Sequence, residues 1–210
     1  MHTSRTFSAA LLVSAALPIA LEAQQVAPAA ARVAPATPAS MSVPFKPGPV
    51  IQSFIGFHNN YGGWLKAAFD SMPASMYGYK PTAVQLSVGY IAQHLENANY
   101  IICAYFSGQT YTMTAKDSLA DTVKAQWPKD TLVARLKASF AYCDDALTRV
   151  PDTGLADSIA IKGVTPPRSV PRSRFLILYI ADLADHYSQI ANYMRLNNMV
   201  PPSALPRPSR

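Results

Sequence analysis

A long amphipathic helix is predicted to end within the stretch Asp182-Leu-Ala-Asp-His186-Tyr-Ser-Gln-Ile-Ala-Asn-Tyr-Met-Arg-Leu-Asn-Asn-Met-Val-Pro-Pro202. Its apolar face continues upstream at helical spacing, with large side chains at Phe175, Tyr179, Leu183, Ile190 and Met194. The two prolines stop the helix because proline has no backbone N–H and clashes with the preceding turn. We therefore predict a helix over residues 173–198.

Two ionisable residues of this helix are spaced to act together. Asp182 and His186 are four residues apart, so their side chains lie one above the other on the same face. Both fall beside the apolar stripe. A carboxylate or an imidazole that points toward a core needs a partner, because burying it alone costs several kcal/mol. A bound metal ion is one such partner.

Two further long helices are predicted before it. The first covers residues 51–72 and the second covers residues 82–106, with Thr82 as its N-cap and Gly108 as its stop signal. The predicted inward face of the second helix consists of Ser87, Ile91, His94, Ala98, Ile101 and Tyr105. A short helix is predicted in the connection that follows, over residues 116–125.

A third long helix is predicted to start at an Asp130 cap. Its inward face consists of Val133, Leu136, Phe140, Cys143 and Leu147. A long Gly- and Pro-containing loop then leads to the last helix, and no stretch shows a convincing strand alternation. Four amphipathic helices of about 20 residues indicate an all-α four-helix bundle.

The first residues have the pattern of an export signal. Residues 1–23 contain Arg5 near the start, an apolar core and the small residue Ala23 at a suitable cleavage position. The apolar run is shorter than the roughly 20 residues of a membrane span. We expect a cleaved signal peptide and a periplasmic or secreted protein without a membrane anchor; an uncleaved anchor is the alternative. Residues 24–47 are rich in Ala and Pro and are predicted to be a disordered tether, so the domain covers residues 48–206.

The net charge of +6 does not by itself indicate a nucleic-acid partner. The basic residues are scattered, and the local cluster Arg168, Arg172 and Arg174 lies in a loop without the aromatic residues of a base-stacking surface. We interpret this cluster as a solvated basic loop and expect no nucleic-acid partner.

A metal site can be assembled from two of the predicted helices. His94 lies in the middle of the second helix, and Asp182 with His186 lies in the middle of the fourth. Two nitrogens and one carboxylate form a three-ligand set that leaves positions open, as in catalytic sites. A metal-free hydrogen bond between Asp182 and either histidine is the alternative. His58, which is predicted to face inward on the first helix, is a weaker candidate ligand.

The two cysteines fall on neighbouring helices. Cys103 and Cys143 both lie near predicted inward faces, and in an exported protein such a pair favours a disulfide that closes a loop of about 40 residues. Two buried free thiols are the alternative, because free cysteine is itself among the most buried residue types.

Several short stretches, in this order and at this spacing, are typical of one family. They are Met72-Pro-Ala-Ser-Met-Tyr-Gly-Tyr-Lys-Pro-Thr82, Ile91-Ala-Gln-His-Leu-Glu-Asn-Ala-Asn-Tyr100 followed by Cys103, Ala138-Ser-Phe-Ala-Tyr-Cys-Asp144, and His186-Tyr-Ser-Gln-Ile-Ala-Asn-Tyr-Met-Arg195 followed by Val200-Pro-Pro-Ser203. Together they resemble the DinB family, also called the DinB/YfiT-like superfamily of metalloenzymes, and the resemblance covers roughly residues 54–206.

The resemblance implies a four-helix bundle of DinB/YfiT type with a metal site made of three histidines. His94 and His186 match two of them, whereas Asp182 replaces the third. The resemblance implies a divalent transition metal, either zinc, nickel, iron or manganese. The Asp182 carboxylate would be a harder ligand for this metal than the histidine that it replaces. The polar residues Asp185, Tyr187 and Gln189 are expected to orient ligands from around the site.

The function implied by the resemblance is that of a metal-dependent transferase or hydrolase acting on a small molecule, with the metal activating a thiol or a water. The alternative is a non-catalytic binding or stress-related module with a degenerate site. Substrate, reaction and catalytic residues are not indicated. A homodimer is a further expectation, since bundles of this size often pair through an exposed helix face.

Overall fold

The computed structural model describes residues 46–206, which form a bundle of long helices with a small hairpin at one end. The predicted signal peptide and almost all of the predicted tether lie outside these residues. The helices are α1 (Pro49–Ser71), α2 (Val88–Ser107), α3 (Asp121–Lys124), α4 (Lys129–Leu147) and α5 (Arg172–Leu196), and the strands are β1 (Ser158–Ile161) and β2 (Arg168–Pro171). The predicted all-α four-helix bundle is confirmed, with α1, α2, α4 and α5 as its long helices.

Helices α2 and α4 are parallel neighbours. Asn99 donates a hydrogen bond to the Ser139 hydroxyl, and Cys103 is joined to Cys143, so the two contacts advance together along both helices. A parallel pair needs a connection that returns along the whole helix, about 30 Å for 20 residues. Residues 108–128 provide this connection, and α3 lies within it.

Helix α1 fixes the remaining directions. It runs parallel to α5, because His58 contacts Tyr179 and Trp64 stacks on Tyr187. It runs antiparallel to α4, because His58 contacts Asp144 whereas Asp70, further along α1, contacts Lys137, which comes earlier on α4. The bundle is therefore up-down-down-up in chain order, and α1 and α2 lie diagonally across it.

The core lies along the bundle axis and is built from all four long helices. Its largest fully buried side chains are Ile51, Leu65, Phe69, Met72, Ile91, Leu95, Phe106, Leu132, Leu136, Phe140, Leu147 and Tyr179. The predicted stripe of the last helix is confirmed, since all five of its apolar residues are buried. The core is continuous through the middle of the bundle, where the ionisable residues of α2 and α5 meet.

Two predicted N-caps are wrong. Thr82 does not start α2, because its hydroxyl donates to the Gln85 side chain in the turns that precede the helix. Ser87 is the cap instead, and its hydroxyl oxygen accepts the Tyr90 N–H. Pro128, rather than Asp130, occupies the N-cap position of α4. The predicted stop at Gly108 is confirmed, since this residue takes the left-handed conformation that glycine adopts without strain.

The predicted inward face of α2 is also partly wrong. Ile101 is 42% exposed, and His94, Ala98 and Tyr105 are only half-buried. The fully buried face is shifted around the helix and includes Leu95. The predicted face instead borders α5 and the solvent.

The loop before α5 contains a hairpin that was not predicted. Strands β1 and β2 are antiparallel, with Ser158 opposite Pro171 and Ile161 opposite Arg168. Arg172 is not part of a solvated basic loop, because its guanidinium donates to the carbonyls of Gly154 and Phe106. The pattern was missed because each strand has four residues, too few to show a period.

The predicted disulfide is confirmed between Cys103 and Cys143, whose Cα atoms are 5.5 Å apart. Both residues are fully buried. The bond joins the two parallel helices α2 and α4 near their C-terminal ends. Within residues 46–206, no helix combines the length and the apolar character needed to cross a membrane.

Candidate metal centre

The three predicted ligands lie together in the middle of the bundle. His94 projects from α2, and Asp182 and His186 project from adjacent turns of α5. One possible ligand atom from each residue lies within 4.8 Å of the other two. The spacing of four on α5 brings its two residues to the same face, and the packing of α2 against α5 adds the third.

The separations in this triad are too long for good hydrogen bonds and suitable for a shared cation. The Nε2 atoms of His94 and His186 lie 3.6 Å and 3.5 Å from the same Oδ1 atom of Asp182. Strong N–H···O bonds are about 2.7–3.2 Å long. Ligand atoms at about 2.0–2.2 Å from a tetrahedral zinc are themselves roughly 3.3–3.5 Å apart. The two separations that involve Asp182 therefore fit a divalent transition metal.

Two polar atoms of the triad are buried without a partner among the described residues. They are Oδ2 of Asp182 and Nδ1 of His186. An orphaned buried carboxylate oxygen is costly, since a buried polar group normally has at least one partner. A cation held by this carboxylate would remove part of that cost.

The electrostatics of the triad favour an ionised carboxylate. Burial alone would raise the pKa of Asp182, but the facing imidazoles of His186 and His94 outweigh it and hold the pKa at about 2. Burial lowers the pKa of His186, but Asp182 and then Asp185 more than compensate, and the pKa lies above its usual value. The negative charge needed to attract a cation is thus present at neutral pH.

The triad opens toward solvent on one side. The His94 side chain is 37% exposed, whereas His186 is buried and Asp182 is largely covered. Solvent therefore reaches the triad from the side of His94. Closed structural sites lack such access.

Two of the three predicted orienting residues lie beside the triad. Gln189 donates a hydrogen bond of 2.8 Å to Asp185, and both influence the pKa of His186. Tyr187 does not fit this role, because its ring stacks on Trp64 of α1 and its hydroxyl accepts the N–H of Ser203. Its position one residue after His186 directs it about 100° around the helix.

His58, the weaker predicted ligand, lies outside the triad. Its Nε2 atom is 2.7 Å from the Asp144 carboxylate, and its Nδ1 atom is 2.7 Å from the Tyr179 hydroxyl. Burial lowers the pKa of His58, which favours the neutral ring that donates to Asp144 and accepts from Tyr179. No local sequence signal joins these three residues, since they come from three different helices.

Comparison with known proteins identifies the fold. No family model matches the sequence, and no curated protein matches it. Among solved structures, a DinB-like protein from Bacillus cereus ATCC 10987 is 18% identical and has a TM-score of 0.56, with 72% of this chain and 95% of that one covered. The chain has the DinB-like fold.

Two further structures agree with this assignment. A conserved protein from Enterococcus faecalis is 19% identical over 70% of this chain and 96% of its own, with a TM-score of 0.53. The mycothiol-dependent maleylpyruvate isomerase is 11% identical over 69% of this chain and 65% of its own, with a TM-score of 0.52. The structural similarity shows the DinB-like fold, and at these low identities it shows the fold alone.

Proposed function

We propose that this protein binds one divalent transition metal through His94, Asp182 and His186, and uses it in a transferase or hydrolase reaction on a small molecule. The observation that carries the proposal is the position of two histidine Nε2 atoms at 3.5 Å and 3.6 Å from one buried carboxylate oxygen. The DinB-like fold supports it, because bundles build metal sites from facing helices. Zinc, nickel, iron and manganese all accept such a ligand set.

The residues around the triad suggest how it would work. A bound metal would supply Lewis acidity, lowering the pKa of a thiol or water ligand near neutral pH. Asp182 supplies the negative charge, and the rigid helices α2 and α5 hold the two imidazoles. Asp185 and Gln189 lie next to His186, where they restrict its orientation.

A thiol is a reasonable ligand to test first. One protein of similar fold, the mycothiol-dependent maleylpyruvate isomerase, depends on a thiol according to its name. We also propose that the protein is exported, on the signal-like pattern of residues 1–23. An exported protein meets fewer of the thiols found in the cytosol. We therefore propose hydrolysis, with a metal-bound water as the nucleophile, on the same footing as thiol transfer.

Metal analysis tests the proposal directly. Protein purified without a histidine tag is expected to hold about one equivalent of a transition metal, and His94→Ala and His186→Ala are each expected to lose most of it. Asp130→Asn is the control, since Asp130 is an exposed carboxylate of α4 that lies outside the triad. If the wild type neither carries nor takes up zinc, nickel, iron or manganese, the protein is a non-catalytic bundle in which Asp182 simply pairs with the histidines.

A further inference from the structure

Two large apolar side chains are exposed on the seam that contains the metal centre. Ile101 of α2 is 42% exposed, and Leu178 of α5 is 48% exposed. Ile101 follows His94 by seven residues, or two turns, and Leu178 precedes Asp182 by four residues, or one turn. Residues at these spacings share a helix face. Each apolar residue therefore lies on the same side of its helix as a proposed ligand.

The register of the two helices places Ile101 and Leu178 opposite each other. The rings of His94 and His186 are 4.7 Å apart, and those of Tyr105 and Phe175 are 4.6 Å apart and stacked. From the first contact to the second, the residue number rises on α2 and falls on α5, so the two helices are antiparallel. Ile101 lies between His94 and Tyr105, and Leu178 lies between Asp182 and Phe175, so both flank the same stretch of the seam. We call these two residues the apolar lip.

Next to the apolar lip, the seam between α2 and α5 is lined by a small side chain and is closed at one end by two aromatic rings. Ala98, one turn beyond His94 on α2, faces the seam with only a methyl group. The stacked Tyr105 and Phe175 rings close the far end, where the Tyr105 hydroxyl also accepts the backbone N–H of Lys162 from the hairpin. From His94 to Tyr105 is eleven residues, or roughly 16 Å of helix. That length fits a small molecule.

The other side of the triad is polar. Asp185 and Gln189 flank His186 there and are hydrogen-bonded to each other. A ligand with one apolar end and one metal-binding end therefore has one favourable orientation, with its apolar end toward the lip. The lip is too small for a protein partner, because specific interfaces bury about 800 Å² on each side.

We propose that the metal centre serves a small amphiphilic substrate, whose metal-binding head group sits at His94, Asp182 and His186 and whose short aliphatic or aromatic group packs on Ile101 and Leu178. This inference rests on the proposed metal-binding function. Two exposed apolar side chains next to an open metal centre gain free energy when a ligand covers them, in proportion to the area removed from water. The lip thus selects for the apolar end of the substrate.

A homologous series of inhibitors tests the lip without knowledge of the reaction. Zinc-loaded protein is titrated by calorimetry with alkyl hydroxamates from acetohydroxamate to hexanohydroxamate, whose common head group binds the metal. The Kd is expected to fall by about threefold for each added methylene group while the chain covers the lip. Ile101→Ser and Leu178→Ser are each expected to flatten this dependence and to leave acetohydroxamate affinity unchanged.

Ile177→Ser is the matched control, because Ile177 is the neighbouring residue on α5, is 61% exposed and points about 100° away from Leu178. This variant is expected to keep the wild-type chain-length dependence. The inference is overturned if wild-type affinity does not depend on chain length, or if Ile177→Ser flattens the series as much as Leu178→Ser does. It is also overturned if sedimentation shows a wild-type dimer that Leu178→Ser dissociates, since the lip is then an interface between two copies.

The two proposals fail in different ways. If the protein takes up none of zinc, nickel, iron and manganese, the metal-binding function fails before any hydroxamate is added. If zinc binds stoichiometrically and acetohydroxamate binds to it, but longer chains bind no better, only the inference about the lip fails.

Discussion

Asp182 is the residue on which the metal centre depends most. One oxygen of its carboxylate faces two imidazoles, and the other oxygen is buried without a partner among the described residues. The two histidines hold its pKa at about 2, so the carboxylate is charged throughout the physiological range. The site therefore combines two borderline nitrogen ligands with one hard oxygen ligand.

Replacing this carboxylate by a third imidazole is expected to change metal preference. Asp182→His removes a hard, charged ligand, so affinity for manganese should fall, whereas zinc and nickel should still bind because imidazole suits both. Competition titrations with a chromophoric chelator measure each Kd. An unchanged ratio of manganese to zinc affinity would show that Asp182 does not ligate the metal. Asp130→His serves as the control, since Asp130 is an exposed carboxylate of α4 outside the triad.

The Asp182–His186 pair also gives the metal-free protein a defined pH dependence. The pKa of His186 is raised above its usual value of 6.5 in the folded state. Its contribution to the free energy of unfolding is therefore fully present below about pH 6.5 and is lost as the pH rises through the folded pKa. In EDTA, His186→Gln should destabilise the protein more at pH 5.5 than at pH 8.5.

Urea unfolding of both proteins at the two pH values measures this difference. His58, whose pKa is lowered, makes an opposite contribution that is lost as the pH falls, but it is present in both proteins and cancels. With metal the direction reverses, because protons and the metal compete for the same nitrogen and binding strengthens as the pH rises. An equal loss of stability at both pH values in EDTA would rule out the charged pair.

Among the elements, α2 and α4 depend on a covalent link. Their long connection, residues 108–128, returns along the bundle and leaves the parallel pair without a short loop between them. The Cys103–Cys143 bond closes a loop with a sequence separation of 40. Replacing both cysteines by serine is expected to lower the free energy of unfolding by about 4 kcal/mol, chiefly by freeing the unfolded chain.

Guanidinium unfolding of the oxidised wild type and the double variant measures this loss. Ellman's reagent on unreduced, unfolded wild type should detect no thiol. Two titratable thiols would show that the cysteines are free when the protein is isolated. Ser139→Ala is a suitable control, since it removes one hydrogen bond between the same two helices and leaves the disulfide in place.

The helices could be predicted from periodicity, but the precise faces and ends could not. The stripe of α5 is clear because its five large apolar residues recur at helical spacing and all are buried. In contrast, α2 has apolar residues on most of its circumference, so the sequence pattern assigns Ile101 to the wrong face. The start of α2 was misplaced because Thr82 and Ser87 are both good caps. The capping preference of the two side chains is similar, so the sequence around Pro81 does not show which of them begins the helix.

For the molecule as a whole, the site was easier to predict than the arrangement of helices. The spacing of Asp182 and His186, with His94 in the middle of another helix, identified three residues that the structure brings together. The up-down-down-up arrangement depends on long-range contacts such as His58 with Asp144 and Tyr179. Those contacts leave no trace in local sequence, because each residue is compatible with many partners.

Since the proposed ligands come from two different helices, metal binding should stabilise the entire bundle. A ligand that binds only the folded state at a hundred times its Kd adds about 2.7 kcal/mol to the free energy of unfolding. For a domain of this size, that corresponds to a rise in Tm of about 5–10 °C. Thermal denaturation of the full chain in EDTA and with added zinc, nickel or manganese measures this rise in Tm.

His94→Gln should abolish the rise in Tm, because it leaves only the two ligands of α5, which the unfolded chain also carries four residues apart. A rise that persists in this variant would place the metal elsewhere, and α2 would then have no part in binding it.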